Sequence, residues 1–458
     1  MTNTYDALII GAGQAGPFLA GRLTAAGQSV AFVERGLFGG TCVNTGCIPT
    51  KTLVASAYTA HLARRAKDYG IGTGDVTVDM KAVKARKDKV SGHAREGVES
   101  WLDHMERCTV YRGHARFVSP TEVQVNEDRI TAKQIFLNVG CRARKPDLPG
   151  VDRVTTLDNT SILQLDMLPK HLVIIGGSYI GLEFAQMYRR FGTQVTIVEM
   201  APRLISREDE NTSAVIREIL EAEGVALRVG AECIRFEPHG DDIAVGLECA
   251  SGPPEVIGSH VLLAVGRRPN TDDLGLDKAG IKVDAHGYIA VDDALRTNVP
   301  NIWALGDCNG RGAFTHASYN DFEIVAANLL DGERRRVSDR ILGYALYIDP
   351  PLGRVGMTEA QARKTGRPLL MGKRLMTNVG RAIEKGETQG FMSAIADAET
   401  KQILGAAILG VGGDEAIHGI LDAMNARVPY TTLEWAVPIH PTVSELIPTL
   451  LREMKPMA

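Results

Sequence analysis

Twice in this chain an apolar run ends in glycines and is followed, after a helix-length segment and a second apolar run, by a glutamate. The first instance is Ala7-Leu-Ile-Ile-Gly-Ala-Gly-Gln-Ala-Gly16. In such a turn Gly11 allows the tight reversal, Gly13 lets the backbone approach a pyrophosphate, and Gly16 lets helix and strand pack closely, with the helix N-terminus facing the phosphates. The pattern predicts a buried strand before Gly11, a helix over 18–27, and a second strand over 29–33 that ends in Glu34, an acceptor for both ribose hydroxyls. His171-Leu-Val-Ile-Ile-Gly-Gly-Ser-Tyr-Ile-Gly181 repeats the pattern, with Gly176 and Gly181 in place and Ser178 at the middle position. Its second strand, 194–198, ends in Glu199, and each glutamate lies eighteen residues after its third glycine. Two matched turns predict an α/β chain with two Rossmann-like units and two nucleotides. Glu199 would bond a free ribose diol and repel a 2′-phosphate, which favours NAD over NADP. Arg203 and Arg207 lie close enough downstream to leave that choice open.

Between the two turns lies Gly39-Gly-Thr-Cys-Val-Asn-Thr-Gly-Cys-Ile-Pro-Thr-Lys51. On a straight helix the Cα atoms of Cys42 and Cys47 would be roughly 8 to 9 Å apart, too far for a disulfide. The segment is therefore expected to bend: Gly46 permits unusual backbone angles, and Pro49 removes the amide that would bond the Thr45 carbonyl. A bridge at such a bend is expected to be strained and easily reduced, as catalytic disulfides are. The alternative at this point is two unrelated buried thiols.

With 458 residues the chain predicts two to four domains. Its 51 basic and 55 acidic residues are well mixed and sum to −4, so no electrostatic footprint for nucleic acid or an anionic membrane is present. Seven cysteines, an odd number, do not make an extracellular disulfide framework. Cys108, Cys141, Cys233, Cys249 and Cys308 lack metal-ligand spacing and are expected to be small buried residues, so no metal site is expected. No signal peptide or apolar stretch of membrane-spanning length is visible, and a cytoplasmic protein is expected.

Residues 55–107 are charged, with Val83, Val90, Val98 and Leu102 at helical spacing. Arg64, Arg65, Lys81, Lys84, Arg86, Lys87 and Lys89 are expected on a solvated helix face. Short strands are expected around Val110, Phe117, Val123 and Ile130. Apolar runs meet glycine again at Gly140 and Gly266, and Asn301-Ile-Trp-Ala-Leu-Gly-Asp307 delivers an aspartate at a strand end. Asp307 could hold a cofactor's sugar hydroxyls or serve as a helix N-cap. From about residue 341 strands (390–396, 403–409) alternate with helices (359–364, 414–425), and the tail carries Pro438-Ile-His-Pro-Thr-Val-Ser-Glu445 before a helical run over 446–454. His440 with Glu445 is either an oriented base or a surface cap.

Two nucleotide turns, the Gly-Gly-Thr-Cys-x4-Cys-x-Pro-x-Lys segment, the Gly-Asp element and the His-Pro-Thr element, in this order along nearly the whole chain, resemble the flavin-dependent pyridine nucleotide-disulfide oxidoreductases. The resemblance implies an FAD site made by Gly11, Gly13, Gly16, Glu34, Thr41, Lys51, Ala115, Gly140 and Asp307. It implies a nicotinamide-nucleotide site made by Gly176, Tyr179, Gly181, Glu199 and Gly266, with Tyr179 covering the flavin until the nicotinamide displaces it. Cys47 would lie against the flavin and Cys42 would exchange with substrate. Lys51 would pair with Glu183, and His440, oriented by Glu445, would act across the interface of a homodimer as acid and base. The implied segments are 1–150 (FAD, first part), 151–270 (nicotinamide nucleotide), 271–340 (FAD, second part) and 341–458 (dimer contact).

Within the family, Gly21 stands where glutathione reductases carry an arginine, and no cysteine follows Cys308, so the terminal pair of mercuric reductases is absent. The tail and Glu199 fit dihydrolipoamide dehydrogenase. Pro-Thr-Lys-Thr-Leu after Cys47, Phe314-Thr-His-Ala-Ser and Tyr347-Ile-Asp-Pro-Pro-Leu look more like mercuric-reductase-like flavoproteins, including the reactive-chlorine-resistance branch. A NADH-dependent disulfide or thiol-linked reductase, with metal ions or oxidants as further acceptors, is the expectation. The alternatives are dihydrolipoamide dehydrogenase, a NADH oxidase or diaphorase that does not need the disulfide, and a redox-sensing flavoprotein.

Overall fold

The computed structural model describes residues 2–250 and 252–457. Its first unit is β1 (Thr2–Ile10), α1 (Gly16–Ala25) and β2 (Val30–Glu34). β1 is a central strand, parallel to β2 through Ala7 opposite Val30 and parallel to a later strand through Ala7 opposite Gln134. A strand covered on both faces needs an unbroken apolar run rather than an alternating one, and Ala7, Leu8, Ile9 and Ile10 are all buried. α2 (Gly40–Asn44), α3 (Cys47–Arg64) and α4 (Met80–Asp103) follow. The chain then returns through β3 (Cys108–Arg112), β4 (Ala115–Ser119), β5 (Glu122–Val125) and β6 (Asp128–Leu137). The sheet order is β3-β2-β1-β6-β5-β4, and strand Ile302–Ala304 adds parallel to β6. The strand order reverses between β1 and β6, which is where an open α/β sheet leaves a crevice at its carboxyl edge.

The second unit repeats the first. After β7 (Cys141–Ala143), β8 (His171–Ile175), α5 (Tyr179–Phe191), β9 (Gln194–Glu199), α6 (Glu210–Ala222) and β10 (Ala226–Val229) form a parallel sheet in the order β10-β9-β8, closed by strand His260–Leu263. A three-stranded antiparallel sheet over 232–258 packs on it through Phe236 and Val245. The two glycine turns are superposable in their constraints. Gly11 and Gly176 have φ of +107° and +112°, and a Cβ there would lie 2.3 Å from the Asn138 carbonyl oxygen and 2.5 Å from that of Ala264. A Cβ on Gly16 or Gly181 would lie 2.4 or 2.0 Å from the carbonyl oxygen of Gly11 or Gly176.

Residues 343–456 form a six-stranded antiparallel sheet. One apolar core joins it to the rest: Leu53 and Ala57 of α3, Leu182 and Phe184 of α5, Ile174 of β8, and Leu346, Leu352 and Leu409 of the C-terminal sheet. α3 is thus embedded where three segments meet. The helix expected over 414–425 is two, Gly413–Ala416 and His418–Asn425. The basic residues of 64–89 do not all face solvent: Lys87 is buried, and its ammonium donates to the Leu163 carbonyl at 2.8 Å. Cys141 and Cys308 are buried as expected, whereas Cys108 and Cys249 are half-buried and Cys233 is exposed. Among the described residues no helix is long and apolar enough to cross a membrane, and no cluster of three metal-ligating side chains occurs.

Candidate active site

The bend between the two cysteines is built from local hydrogen bonding. α2 ends at Asn44, with the Thr45 amide bonded to the Thr41 carbonyl at 2.9 Å. Gly46, at φ −138° and ψ −117°, caps α3, which starts at Cys47. Pro49 supplies no amide to the Thr45 carbonyl, and the Asn159 side chain donates to that oxygen instead, at 2.9 Å. Cys42 therefore sits on one helix and Cys47 on the first position of the next, where unsatisfied amides and the helix dipole favour negative charge.

Both cysteines are free thiols in this structure. A hydrogen bond from Cys42, the Thr315 hydroxyl 3.1 Å from Sγ, and the nearby Lys51 ammonium pull Cys47 down to about 6. The hydrogen bond to Cys47, then burial, drive Cys42 up. The two thiols are pushed in opposite directions, so the first negative charge of the pair is favoured on Cys47. Lys51, one helical turn after Cys47, donates to Glu183 Oε2 at 2.7 Å, and Glu183 Oε1 accepts from the Tyr347 amide at 3.1 Å. The Lys51 ammonium also lies 4.5 Å from the centre of the Tyr347 ring.

These groups line one cavity of about 470 Å³ that also contains Gly13, Gly140, Tyr179, Asp307 and Thr315. A second cavity, of about 180 Å³, contains Gly11, Glu34 and Ala115. Gly13, Thr41, Asn138 and Gly140 belong to both, so the two form one bent groove along the carboxyl edge of the first sheet. Glu34 is fixed at its far end by the amides of Ala12 and Gly36, each donating to a different carboxylate oxygen at 2.7 Å. Glu199 is held in the same way by Gly177 and Ala201, at 2.6 and 2.7 Å. Arg203, four residues on, donates to the backbone carbonyls of Ser206 and Glu208. Gly266 carries φ +105° at the end of the second sheet, with open space where a side chain would be.

Several residues reach the groove without a motif to mark them. Arg267 donates to Asp307 Oδ2 at 2.5 Å and to the Cys141 carbonyl at 2.6 Å, so Asp307, raised by burial, is restrained by an adjacent guanidinium. Asn138 accepts from the Gly16 amide at 3.1 Å and donates to the Leu305 carbonyl at 2.9 Å, tying the first glycine turn to the strand before Asp307. Thr315 opens α7 (Thr315–Leu330). The signals were adjacent, at Gly266, Gly140 and the Phe314-Thr-His-Ala-Ser stretch, but a contact between distant segments has no local pattern. His440 is not in the cavity wall. Its Nδ1 lies 2.9 Å from Glu445 Oε2, and its side chain is 80% exposed beside Trp435, Val437 and Ile439, which are 80, 96 and 80% exposed. An apolar patch of this kind marks a protein contact surface.

Comparison with known proteins agrees with this geometry. Residues 5–321 match the pyridine nucleotide-disulphide oxidoreductase family model, and residues 343–451 match the dimerisation domain of the same family. The probable pyridine nucleotide-disulfide oxidoreductase RclA of Escherichia coli is 36% identical over 99% of this chain and 100% of its own. The dihydrolipoyl dehydrogenase of Thermus scotoductus is 34% identical over 96% of this chain and 95% of its own, and the mercuric reductase of Bacillus cereus is 31% identical over 94 and 70%. The solved HOCl-induced flavoprotein disulfide reductase RclA from Escherichia coli superposes with a TM-score of 0.89 at 36% identity, over 98% of this chain and 99% of that one. With its nucleotide turns, its paired thiols and five of the six strands of its C-terminal sheet inside matched regions, this chain belongs to the pyridine nucleotide-disulphide oxidoreductases, FAD-dependent enzymes that use a pyridine nucleotide and carry a dimerisation domain.

Proposed function

We propose that this protein is a NAD(P)H:disulfide oxidoreductase that works as a cytoplasmic homodimer and passes two electrons through the Cys42–Cys47 pair to a small acceptor. The observation that carries the reading is the thiol pair itself. One thiol is acidic, the other is pushed up, and both open into a groove with the Lys51–Glu183 pair and Tyr179.

The groove fits FAD. A Cβ on Gly13 would sit 2.8 Å from Asn138 Oδ1, and both residues line both cavities, so a bare backbone at Gly13 keeps room where the two adjoin. Gly11, Gly13 and Gly16 would take the pyrophosphate, Glu34 and Ala115 the adenosine end, and Thr41, Gly140 and Asp307 the connecting chain, with Lys51 at the ring. FAD bound there supplies the ring system that carries electrons from the nicotinamide to sulfur. In this reading 1–150 and 271–340 hold FAD, 151–270 the nicotinamide nucleotide, and 341–458 the dimer contact. Gly176, Gly181, Glu199 and Gly266 would hold a NADH molecule in preference to NADPH, because the Glu199 carboxylate opposes a 2′-phosphate and Arg203 is engaged by backbone carbonyls. Tyr179 covers the cavity until the nicotinamide displaces it.

Reduction of the disulfide takes two electrons and one proton: the S–S bond breaks, Cys47 keeps its electron pair as a thiolate, and Cys42 takes the proton. The helix N-terminus, Thr315 and Lys51 stabilise that thiolate. Cys42 must lose its proton to attack. The partner subunit's His440 takes it, since Glu445 holds Nδ1 and leaves Nε2 free. Attack by Cys42 on an acceptor disulfide forms a mixed disulfide and releases one thiolate, and Cys47 then displaces the second and restores the internal bridge. RclA was also solved as a Cu(II) complex, so metal ions belong among the acceptors to be tried.

The test is anaerobic addition of limited NADH to the flavin-loaded enzyme. A long-wavelength absorbance from the Cys47 thiolate beside the flavin is expected, and is lost in Cys47→Ser with FAD retained. An unchanged spectrum in that variant refutes the reading.

A further inference from the structure

Tyr179 begins α5 and lines the large cavity, and its hydroxyl donates to Glu208 Oε1 at 3.2 Å. The same oxygen accepts from the Tyr344 hydroxyl at the shorter distance of 2.7 Å. Glu208 Oε2 is taken by Arg354, through Nε at 2.9 Å and Nη2 at 2.6 Å, and Arg354 also reaches Asp209 Oδ2 at 2.8 Å. The Glu208 and Arg354 side chains are 0 and 2% exposed. Tyr179 and Tyr344 meet edge-on with ring centres 5.7 Å apart, and Tyr344 stacks on Phe314 at 5.4 Å. Glu208 lies between β9 and α6, while Tyr344 and Arg354 stand on two strands of the C-terminal sheet, Gly343–Leu346 and Leu352–Gly356.

A buried carboxylate gripped by a guanidinium stays charged and accepts strongly. Burial, first, and the neighbouring tyrosine and carboxylate keep the Tyr179 hydroxyl protonated, hence a donor. Arg354 fills both acceptor positions of one Glu208 oxygen and the two tyrosines fill those of the other, where the closer one draws the larger share of its charge. We propose that Glu208 is a positioning residue that latches Tyr179 across the cavity, and that Tyr344 weakens this latch by drawing charge from the same oxygen. The proposal rests on the reading of Tyr179 as the displaceable cover given above, and adds what sets the strength of its closure. The nicotinamide must break the Tyr179–Glu208 bond to seat, so its affinity reports the latch directly.

The experiment is calorimetric measurement of the NAD⁺ dissociation constant on flavin-loaded protein, with thermal melting as control. Tyr179→Phe removes the latch and keeps the ring, and is expected to tighten NAD⁺ roughly three- to tenfold. Tyr344→Phe returns that charge to the Tyr179 bond and is expected to weaken NAD⁺ by a smaller factor, about twofold. A merely structural role moves both constants the same way, together with the melting temperature. Constants that shift in one direction, or that do not shift, overturn the proposal. If Tyr344→Phe does not fold, Glu208→Asp serves, because it keeps a charge for Arg354 while withdrawing the oxygen from Tyr179. It is expected to tighten NAD⁺ as Tyr179→Phe does, and an unchanged constant overturns the latch. Tyr179→Ala separates the two readings. If it leaves NAD⁺ affinity at the wild-type value, Tyr179 does not cover the site and both fail. If it tightens NAD⁺ while Tyr179→Phe does not, the cover stands and the latch alone fails.

Discussion

Replacing Thr315 by valine keeps the shape of the side chain and removes one hydroxyl, the one that lies 3.1 Å from Cys47 Sγ. A hydrogen bond to a charged acceptor contributes about 1.5 to 3 kcal/mol, and at about 1.36 kcal/mol per pKa unit that is about one to two units. Thr315 comes after Cys42 among the groups that lower Cys47, so the lower figure of about one unit applies. Cys47 should therefore titrate near 7 in Thr315→Val rather than at about 6, which lowers its thiolate fraction at pH 7 from about nine-tenths to about one-half. The assay is a pH titration of the long-wavelength thiolate-to-flavin absorbance in the dithiol, flavin-loaded enzyme, following the midpoint rather than the amplitude. Cys42 and Lys51, the other groups that lower Cys47, are untouched by the substitution. A midpoint that stays in place or moves down, with full absorbance still reached at high pH, refutes the role given to Thr315.

Cys42→Ala should abolish turnover with disulfide acceptors and leave NADH oxidation by oxygen or quinones in place; parallel loss of both activities contradicts the assignment of Cys42 as the outer thiol. Lys51→Met strands the Glu183 carboxylate, 7% exposed, with the Tyr347 amide as its remaining partner, and should cost about 2 kcal/mol in urea unfolding. The double variant Lys51→Met, Glu183→Gln should regain part of that loss, and an unchanged midpoint in the single variant shows the pair to be solvated. Mixing denatured Cys47→Ser and His440→Gln chains and refolding them together should restore about a quarter of wild-type turnover, since half the dimers are mixed and each has one intact site. Failure to complement places His440 in its own chain's site or in none.

The sequence made β1, β8 and their turns legible because strands buried on both faces carry unbroken apolar runs, and because glycine is forced where a Cβ would strike a carbonyl at 2.0 to 2.5 Å. The bend at Gly46 and Pro49 was legible for the same reason, a backbone constraint written into residue identity. What could not be read are contacts that join distant segments. Arg267 to Asp307, Asn138 to Leu305, and Tyr179 to Glu208 each link residues whose neighbours say nothing of one another. Lys87 shows the opposite error: a charge run reads as a solvated face, yet α4 turns this one ammonium inward to a carbonyl. Cys233, expected inside, sits exposed at φ +51°, a backbone choice that residue type alone does not announce.

The buried ions show why the site holds its geometry. Lys51 and Glu183 tie α3 to α5, Arg354 ties the C-terminal sheet to Glu208 and Asp209, and Arg190 ties α5 to Glu223 and Asp349. Such pairs add little net stability over apolar contacts of equal volume, but separating one leaves an uncompensated charge, at about 2 kcal/mol for the part-exposed Lys51–Glu183 pair and more where both partners are buried. The apolar core that runs through the same three segments is non-directional; the ion pairs add directional contacts to it. Their placement therefore fixes the nucleotide-binding turn and the C-terminal sheet against α3. Glu183 is the point where this matters for sulfur, because its two oxygens hold Lys51 on one side and the Tyr347 backbone on the other. Cys47 feels both members of the pair, the Lys51 ammonium lowering it and the Glu183 carboxylate raising it, so a shift of the C-terminal sheet that moved Glu183 would change the balance of charge at the sulfur.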